Sequence, residues 1–344
     1  MDATVGIIAN PAAAHDVRRL SGYGSIVDNH EKVRILRRVL FGLRAVGVDQ
    51  VLAMPDPYNL AMTAASTRDL GVSVRMVDMA RTHNERDSTL AAGRMALARC
   101  ACIVVLGGDG TNRAVAKGSR DVPLVPISTG TNNVIPRPIE GTIAGMAAGL
   151  FARGLLSAAD VVRRSKRLEI MQGDEIIESA LVDVAASTHL FLGARAVTEL
   201  APLRQLWLTQ AVPGAIGLSA IGAHLHPLSP AADHALFIEL APSRGTPDPG
   251  AVSVLAPIAP GLVREATVLS WRLLNMSEPS MVGARPSVLA LDGERTLPLL
   301  PGEPPPTVRA TWTGPRLLDV EAVMNYAATH GLFLRPIPEE RASE

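Results

Sequence analysis

From residue 107 to 111 the chain reads Gly-Gly-Asp-Gly-Thr, which sets three glycines, a carboxylate and a hydroxyl in five positions. The preceding residues, Ile103 to Leu106, suit a strand buried on both faces, and a helical stretch follows at once. Gly107, Gly108 and Gly110 let the backbone turn sharply, with a positive φ expected at Gly108, and bring amide N–H groups close to a polyphosphate. Asp109 then stands where it holds Mg²⁺ or takes a proton from an attacking hydroxyl, and Thr111 where it meets a phosphate oxygen. Replacing Asp109 by Asn is expected to remove activity and leave folding nearly intact, because the glycines set the loop. This is not a Walker loop, since no Gly-Lys-Ser/Thr ending follows, and the Gly-x-Gly-x-x-Gly spacing of dinucleotide-binding units is missing. The plainer alternative is a tight strand-to-helix turn with a capping Asp.

Other polar groups fall at comparable places. Ser128 to Asn133 gives Thr129, Gly130, Thr131, Asn132 and Asn133, and a carboxamide that both donates and accepts suits an adenine or ribose edge. Read alone, the same residues also make an Asx-rich turn capping the next helix. Asn10 with Pro11 opens a polar loop carrying Arg18, Arg19, Ser21, Gly22 and Gly24, which could meet phosphate. Asp183 sits in a strand-like run, where a carboxylate is uncommon without a partner. Asp292-Gly293-Glu294 reads first as a hairpin turn. His224 and His226, with His234 beyond, are two-apart histidines that on a strand face could reach one zinc ion, although Pro227 and Pro230 suggest an ordered loop. The basic run Arg163, Arg164, Lys166, Arg167 reads as a solvated domain junction.

The elements that must position these groups alternate. Strands are expected at 5–9, 51–54, 72–77, 103–106 and 122–127, and helices at 29–45, 56–70, 87–98, after the motif, and at 139–153. That alternation predicts a parallel sheet covered on both faces, with the 107–111 and 128–133 loops sharing the edge where such sheets bind ligands. Beyond about residue 160 the runs 168–171, 175–186, 236–240, 252–256, 267–271 and 288–291 are divided by Gly, Pro and Asp turns, the pattern of an antiparallel β domain. A last helix is expected at 319–330, capped by Gly331.

Taken with Gly6 to Pro11, Val125 to Asn133, Gly214 to Ile221 and Leu291 to Glu294, the glycine motif resembles that shared by NAD kinases, diacylglycerol kinases and sphingosine kinases. The whole set is most similar to the acetoin-catabolism protein X branch of the ATP-NAD kinase family. The resemblance implies an α/β Rossmann-like domain over 1–160, joined by a returning segment at 318–344, and an antiparallel β-sandwich domain over 161–317. It implies an ATP-dependent kinase using Mg²⁺, with Asp109 as catalytic acid-base group and metal ligand. Asn10, Gly107, Gly108, Gly110, Thr111, Thr129, Gly130, Thr131, Asn132, Asn133, Asp183, Asp292 and Glu294 would hold the nucleotides. The acceptor would be a hydroxyl of NAD or a related small molecule, and the resemblance links the reaction to acetoin breakdown. The alternatives are a nucleotide-binding regulator without turnover and a lipid or small-alcohol kinase. Where NAD kinases carry an Asn-Glu or Asn-Asp pair this chain has Val182 and Asp183, and their Thr-Pro-Thr-Gly-Ser loop is replaced by Pro213 to Ser219. NAD phosphorylation is therefore expected to be weak, and Val182→Asn to raise it.

Composition narrows the field further. Of 344 residues 47% are hydrophobic and 19% charged, which excludes wholesale disorder. The 33 basic residues balance 33 acidic ones, and only Lys32, Lys117 and Lys166 are lysines, so a broad nucleic-acid footprint is not expected. Cys100 and Cys102 are expected as buried, reduced thiols. No run suits a signal peptide or an integral membrane span, so a cytoplasmic protein is expected. A homo-oligomer is expected as well.

Overall fold

The structure is a computed structural model that describes residues 3–13, 27–68, 70–130, 132–188, 199–242, 249–284, 287–300, 302 and 304–334. The first part alternates β1 (Thr4–Ala9), α1 (Asn29–Ala45), β2 (Gln50–Ala53), α2 (Leu60–Ala65), β3 (Ser73–Met76), α3 (Arg86–Leu97), β4 (Cys102–Gly107), α4 (Asp109–Ser119), β5 (Leu124–Ser128) and α5 (Gly141–Ala152). After α6 (Ala158–Val161) and β6 (Val162–Arg164) the chain turns to strands: β7 (Arg167–Gln172), β8 (Glu175–Ala180), β9 (Asp183–Ser187) and β10 (Leu203–Leu208). A short α7 (Ser219–Leu225) precedes β11 (His234–Leu240), β12 (Val252–Ala259), β13 (Leu262–Asn275), β14 (Ser280–Met281), β15 (Ser287–Leu291), β16 (Glu294–Leu299) and β17 (Thr307–Thr311). The chain closes with β18 (Arg316–Leu318) and α8 (Val320–Thr329).

The first sheet runs β3-β2-β1-β4-β5-β18-β6 and is parallel except for the last pair. Every residue of β4 is buried, as its unbroken apolar run requires of a strand covered on both faces. One face is packed by α1, α2, α5 and α8, the other by α3 and α4. Helices α1 and α5 lie close because a Cβ on Gly42 would collide with the Thr142 carbonyl, and one on Gly145 with that of Val39. Strands β6 and β18, the way into and out of the second domain, pair with each other at the sheet edge, and α8 then buries Val320, Val323 and Ala327 in the first core.

The second domain is antiparallel. A seven-stranded sheet ordered β12-β13-β11-β10-β9-β15-β16 faces a four-stranded sheet ordered β14-β17-β7-β8. Trp207 and Phe237, ring centroids 5.2 Å apart, sit between them with Leu168, Ile170, Leu289 and Val308. Leu206, Leu208, Ile238 and Ala256 face the other way and are covered by α7.

Three expectations shift for local reasons. The helix expected at 56–70 shrinks to α2, because the Asp56 carboxylate accepts the N–H groups of Tyr58 and Leu60 and Asn59 turns left-handed, at φ 50°. The single strand expected at 175–186 breaks into β8 and β9, because Leu181 and Val182 give their N–H groups to Asp292 instead of a ladder. His224 and His226 straddle the end of a helix, not a strand; the His224 ring binds the Leu255 carbonyl at 2.7 Å and His226 stacks on Trp271. Both cysteines are free and buried, and burial pushes the Cys100 thiol up to about 11. Among the described residues no helix is long and apolar enough to cross a membrane.

Candidate functional site

The strand order reverses beside β1: the chain moves outward through β2 and β3, then returns to lay β4 on the other flank of β1. Ligands bind parallel sheets at such a switch point. Register puts Ala9 beside Leu106 and Gly107 beside Ser128, so the loops after β1, β4 and β5 emerge together. The Asn10 carboxamide donates to the Thr111 hydroxyl at 3.0 Å, tying the first loop to the motif helix.

The motif glycines are present for a reason other than the one expected. Gly108 caps α4 with φ −95°, a conformation any residue adopts, and no positive φ occurs at Gly107 or Gly110. What excludes a side chain is proximity: a Cβ on Gly107 would stand 2.5 Å from Thr111 Cβ, and one on Gly108 2.8 Å from Asn133 Oδ1. Asp109 opens the helix and is buried. Its Oδ1 accepts the Ile135 N–H at 2.8 Å and its Oδ2 the Val134 N–H at 2.9 Å. The carboxylate thus organises the second polar loop, so Asn at this position cannot be neutral for the local structure.

Within that loop Asn133 donates to Ser128 Oγ at 2.8 Å, and Asn132 reaches across to the Ile258 carbonyl of β12 at 3.4 Å. Asn132 Oδ1 and the deeply buried Thr129 hydroxyl have no hydrogen-bond partner. Thr131 and the arginines of the 14–26 loop lie outside the described residues.

From the other domain, Asp292 and Gly293 form the two-residue turn between β15 and β16, both left-handed at φ 51° and 78°. The hairpin reading of this motif holds, since two positive φ values define the tight turn, and Asp292 and Gly293 of that turn line the cleft between the domains. The Asp292 carboxylate accepts N–H groups from Leu181 (3.0 Å), Val182 (2.8 Å) and Asp183 (3.4 Å). Asp183 answers by accepting the Gly293 N–H at 3.1 Å. Burial pushes the Asp292 carboxyl above the usual carboxylate range, while Arg113 and the amides pull it back. Glu294 lies over Gly110, where a Cβ would stand 3.7 Å from its Oε1.

Arg113 was not foreseen. Its side chain is 3% exposed; Nη1 donates to the Leu291 carbonyl at 2.9 Å, Nε lies 3.9 Å from Asp292 and Nη2 lies 3.7 Å from Glu85. The one signal in the sequence is its place four residues after Asp109, on the same helix face.

These groups close a cleft between the domains. Asp109, Asn132 and Val134 line it from the first, and Asp183, Ile216 to Ser219, Ile258, Asp292 and Gly293 from the second. The loop at 213–219, distinguished in the sequence by its departure from NAD kinases, is thus one wall. The Ser219 hydroxyl, 1% exposed, has no partner. With a cavity volume of ≈ 10 Å³ the cleft has room for about one water.

A magnesium ion fits this donor set in one way. Among the described residues no cluster of three or more His, Cys, Asp or Glu side chains is arranged to hold a metal. Mg²⁺ is commonly held by one or two carboxylates together with substrate phosphates, and Asp109, whose oxygens accept the Val134 and Ile135 amides, is the carboxylate that the first domain brings to the cleft.

A parallel α/β domain with a glycine-rich turn, set over an antiparallel sandwich with the carboxylates between them, is the NAD kinase-like architecture. The family model for the ATP-NAD kinase N-terminal domain matches residues 5–154, and that for the acetoin catabolism protein X C-terminal domain matches residues 166–311. Acetoin catabolism protein X from Cupriavidus necator is 39% identical over 349 aligned residues, covering 98% of this chain and 96% of the relative. The chain belongs to the acetoin catabolism protein X family. Two solved structures of a proposed diacylglycerol kinase from Bacillus anthracis str. Sterne cover 93% and 92% of this chain and 98% of their own, at 14% identity and TM-scores of 0.47 and 0.45.

Proposed function

We propose that this protein is an ATP-dependent phosphotransferase that passes a phosphoryl group to a hydroxyl of NAD or a related small molecule, in a reaction serving acetoin catabolism. The observation that carries the reading is Asp109, at the head of α4 in the interdomain cleft, with Asp183 and Asp292 lining the same cleft. The ATP-NAD kinase match of the first domain supports the reaction class, and the name of the Cupriavidus necator relative supports the context.

Phosphoryl transfer needs positioning and charge neutralisation more than covalent chemistry. The acceptor oxygen attacks the γ-phosphorus, the bond from that phosphorus to the β-phosphate oxygen breaks with its electron pair leaving on ADP, and the hydroxyl proton passes to Asp109. Magnesium, when bound, neutralises charge on the phosphate oxygens. Thr111, steadied by Asn10, faces the phosphates, while Asn132 and Asn133 read the nucleotide. The reading is tested by incubating the protein with γ-labelled ATP, Mg²⁺ and a panel of NAD and small alcohols. Labelled product from the wild type and none from Asp109→Asn is expected. ATP binding by calorimetry without transfer to any acceptor would instead select a nucleotide-binding regulator, a reading favoured by how tightly the cleft is closed.

A further inference from the structure

We infer that Lys117 is a positioning residue for this site: its ion pair with Glu178 fixes the angle of helix α4, and with it Asp109, against the second domain. What that position serves rests on the phosphotransferase reading, and the position itself can be measured separately.

The ionic side chains of α4 are Asp109, Arg113 and Lys117, and their spacing of four brings them to one side of the helix. Asp109 lines the cleft at the head of α4. One turn on, Arg113 is pinned to Leu291 and Asp292 of the β15–β16 hairpin, in the seven-stranded sheet. Another turn on, Lys117 reaches β8 of the four-stranded sheet, where its Nζ lies 2.8 Å from Glu178 Oε1 and 3.0 Å from Oε2. A single pin lets a helix swivel about it. A second one, about 6 Å further along the axis and on the other sheet, stops the swivel.

Strand β8 is shaped for that contact. Leu168 pairs with Ala180 and Ile170 with Glu178, so Glu178 lies on the side of β8 from which Ala180 joins the core between the sheets. A carboxylate is out of place there without a cation. The register slips beside it, since Met171 pairs with Ile176 and Ile177 is left over, and such a bulge re-aims its neighbours. The Ser179 N–H donates to Glu178 Oε1 at 2.8 Å and holds the carboxylate in place for the lysine. Beyond Glu178 the chain runs through Leu181 and Val182, whose N–H groups bind Asp292, the partner of Arg113. The two pins therefore belong to one closed ring of contacts, and a shift at Lys117 passes to the Asp292 turn. With side chains 34% and 26% exposed, the pair adds little to overall stability, so its loss separates positioning from folding.

The test uses the full chain as wild type, Lys117→Met, Lys117→Glu, and Lys117→Glu combined with Glu178→Lys. Spin labels on Leu97→Cys and Leu255→Cys, exposed positions in the first and second domains, report the interdomain distance by pulsed electron resonance, the native thiols being buried. Urea midpoints are recorded alongside, with kcat and KM for ATP on whichever acceptor the wild type phosphorylates. Lys117→Met should broaden the distance distribution and lower kcat several-fold; Lys117→Glu should lower it about tenfold, with urea midpoint and KM unchanged in both. The charge-swapped form should recover the narrow distribution and most of kcat. An unchanged distribution or an unchanged kcat in Lys117→Glu, or no recovery in the swapped form, overturns the inference. Parallel losses of kcat and urea midpoint in Lys117→Met would reduce the pair to a structural contact and overturn it too. If the wild type transfers phosphate to no acceptor, the phosphotransferase reading falls, and the distances alone decide whether Lys117 sets α4 against the second domain.

Discussion

Asp109 and Asp292 meet across one cleft from two domains, each buried and each held by backbone amides, yet they are held differently. Asp109 takes one amide on each oxygen, both from residues 134 and 135 of its own domain. Asp292 takes three amides from residues 181–183, sits in a left-handed turn and has Arg113 of the other domain behind it. Two amides of one short loop fix the Asp109 carboxylate at the head of α4, whereas three N–H groups, together with a guanidinium from the other domain, anchor Asp292 across the cleft. On the phosphotransferase reading we propose, proton transfer falls to Asp109, and Asp292 keeps the domains in register around it.

The largest effect should come from Asp109→Asn, which removes the acid-base group and should lower the transfer rate by about 10²- to 10⁴-fold. It should also cost stability. One face of the new carboxamide turns N–H toward an amide N–H, a loss of about 1–3 kcal/mol in urea titration. Full stability in this variant would mean that the 134–135 loop is held by something else.

Asp292→Ala should act in the opposite sense, mainly on folding. It strands the buried Arg113 cation and frees three N–H groups, a loss of about 3–5 kcal/mol. Adding Arg113→Met to that variant should restore part of the loss, since the uncompensated charge is then gone. If Asp292→Ala melts with the wild type but no longer turns over, the roles assigned to the two carboxylates are reversed.

A smaller change sharpens the account of the glycine loop. Gly108→Ala meets no backbone strain at φ −95°, but its Cβ would press on Asn133 Oδ1 and swing that side chain from Ser128. The cost should be about 1 kcal/mol, the worth of the hydrogen bond. ATP affinity by calorimetry should fall with it. Unchanged affinity would show that Asn133 does not face the nucleotide.

The two halves of the site were unequally legible in the sequence. Asp109 and its glycines are consecutive, follow a recognisable buried strand and need no distant partner to be noticed. The sandwich was visible as a run of short strands, and Asp292-Gly293 as a turn. Arg113 was missed because its partner Leu291 lies 178 residues away, and nothing local marks a buried arginine on an otherwise ordinary helix face. For the same reason the break between β8 and β9 was hidden: the carboxylate that captures the Leu181 and Val182 amides arrives from a hairpin more than a hundred residues later. The positive φ expected at Gly108 was a misreading of a different constraint, the nearness of Asn133.

The last test concerns Val182, where the resemblance to NAD kinases leads one to expect that Asn would raise NAD phosphorylation. In the fold, Val182 is 1% exposed and is not among the residues lining the cleft; its N–H is committed to Asp292 and its carbonyl to Thr209. An asparagine there would bury a carboxamide with no partner, for about 1–3 kcal/mol, without reaching an acceptor. Val182→Asn is therefore expected to lower the urea midpoint and leave NAD phosphorylation where it was. Residues 216–219, by contrast, line the cleft directly. A clear rise in NADP formation by folded Val182→Asn would place the selectivity on the Asp292 side of the comparison instead, and would mean that β9 turns toward the acceptor when the cleft opens.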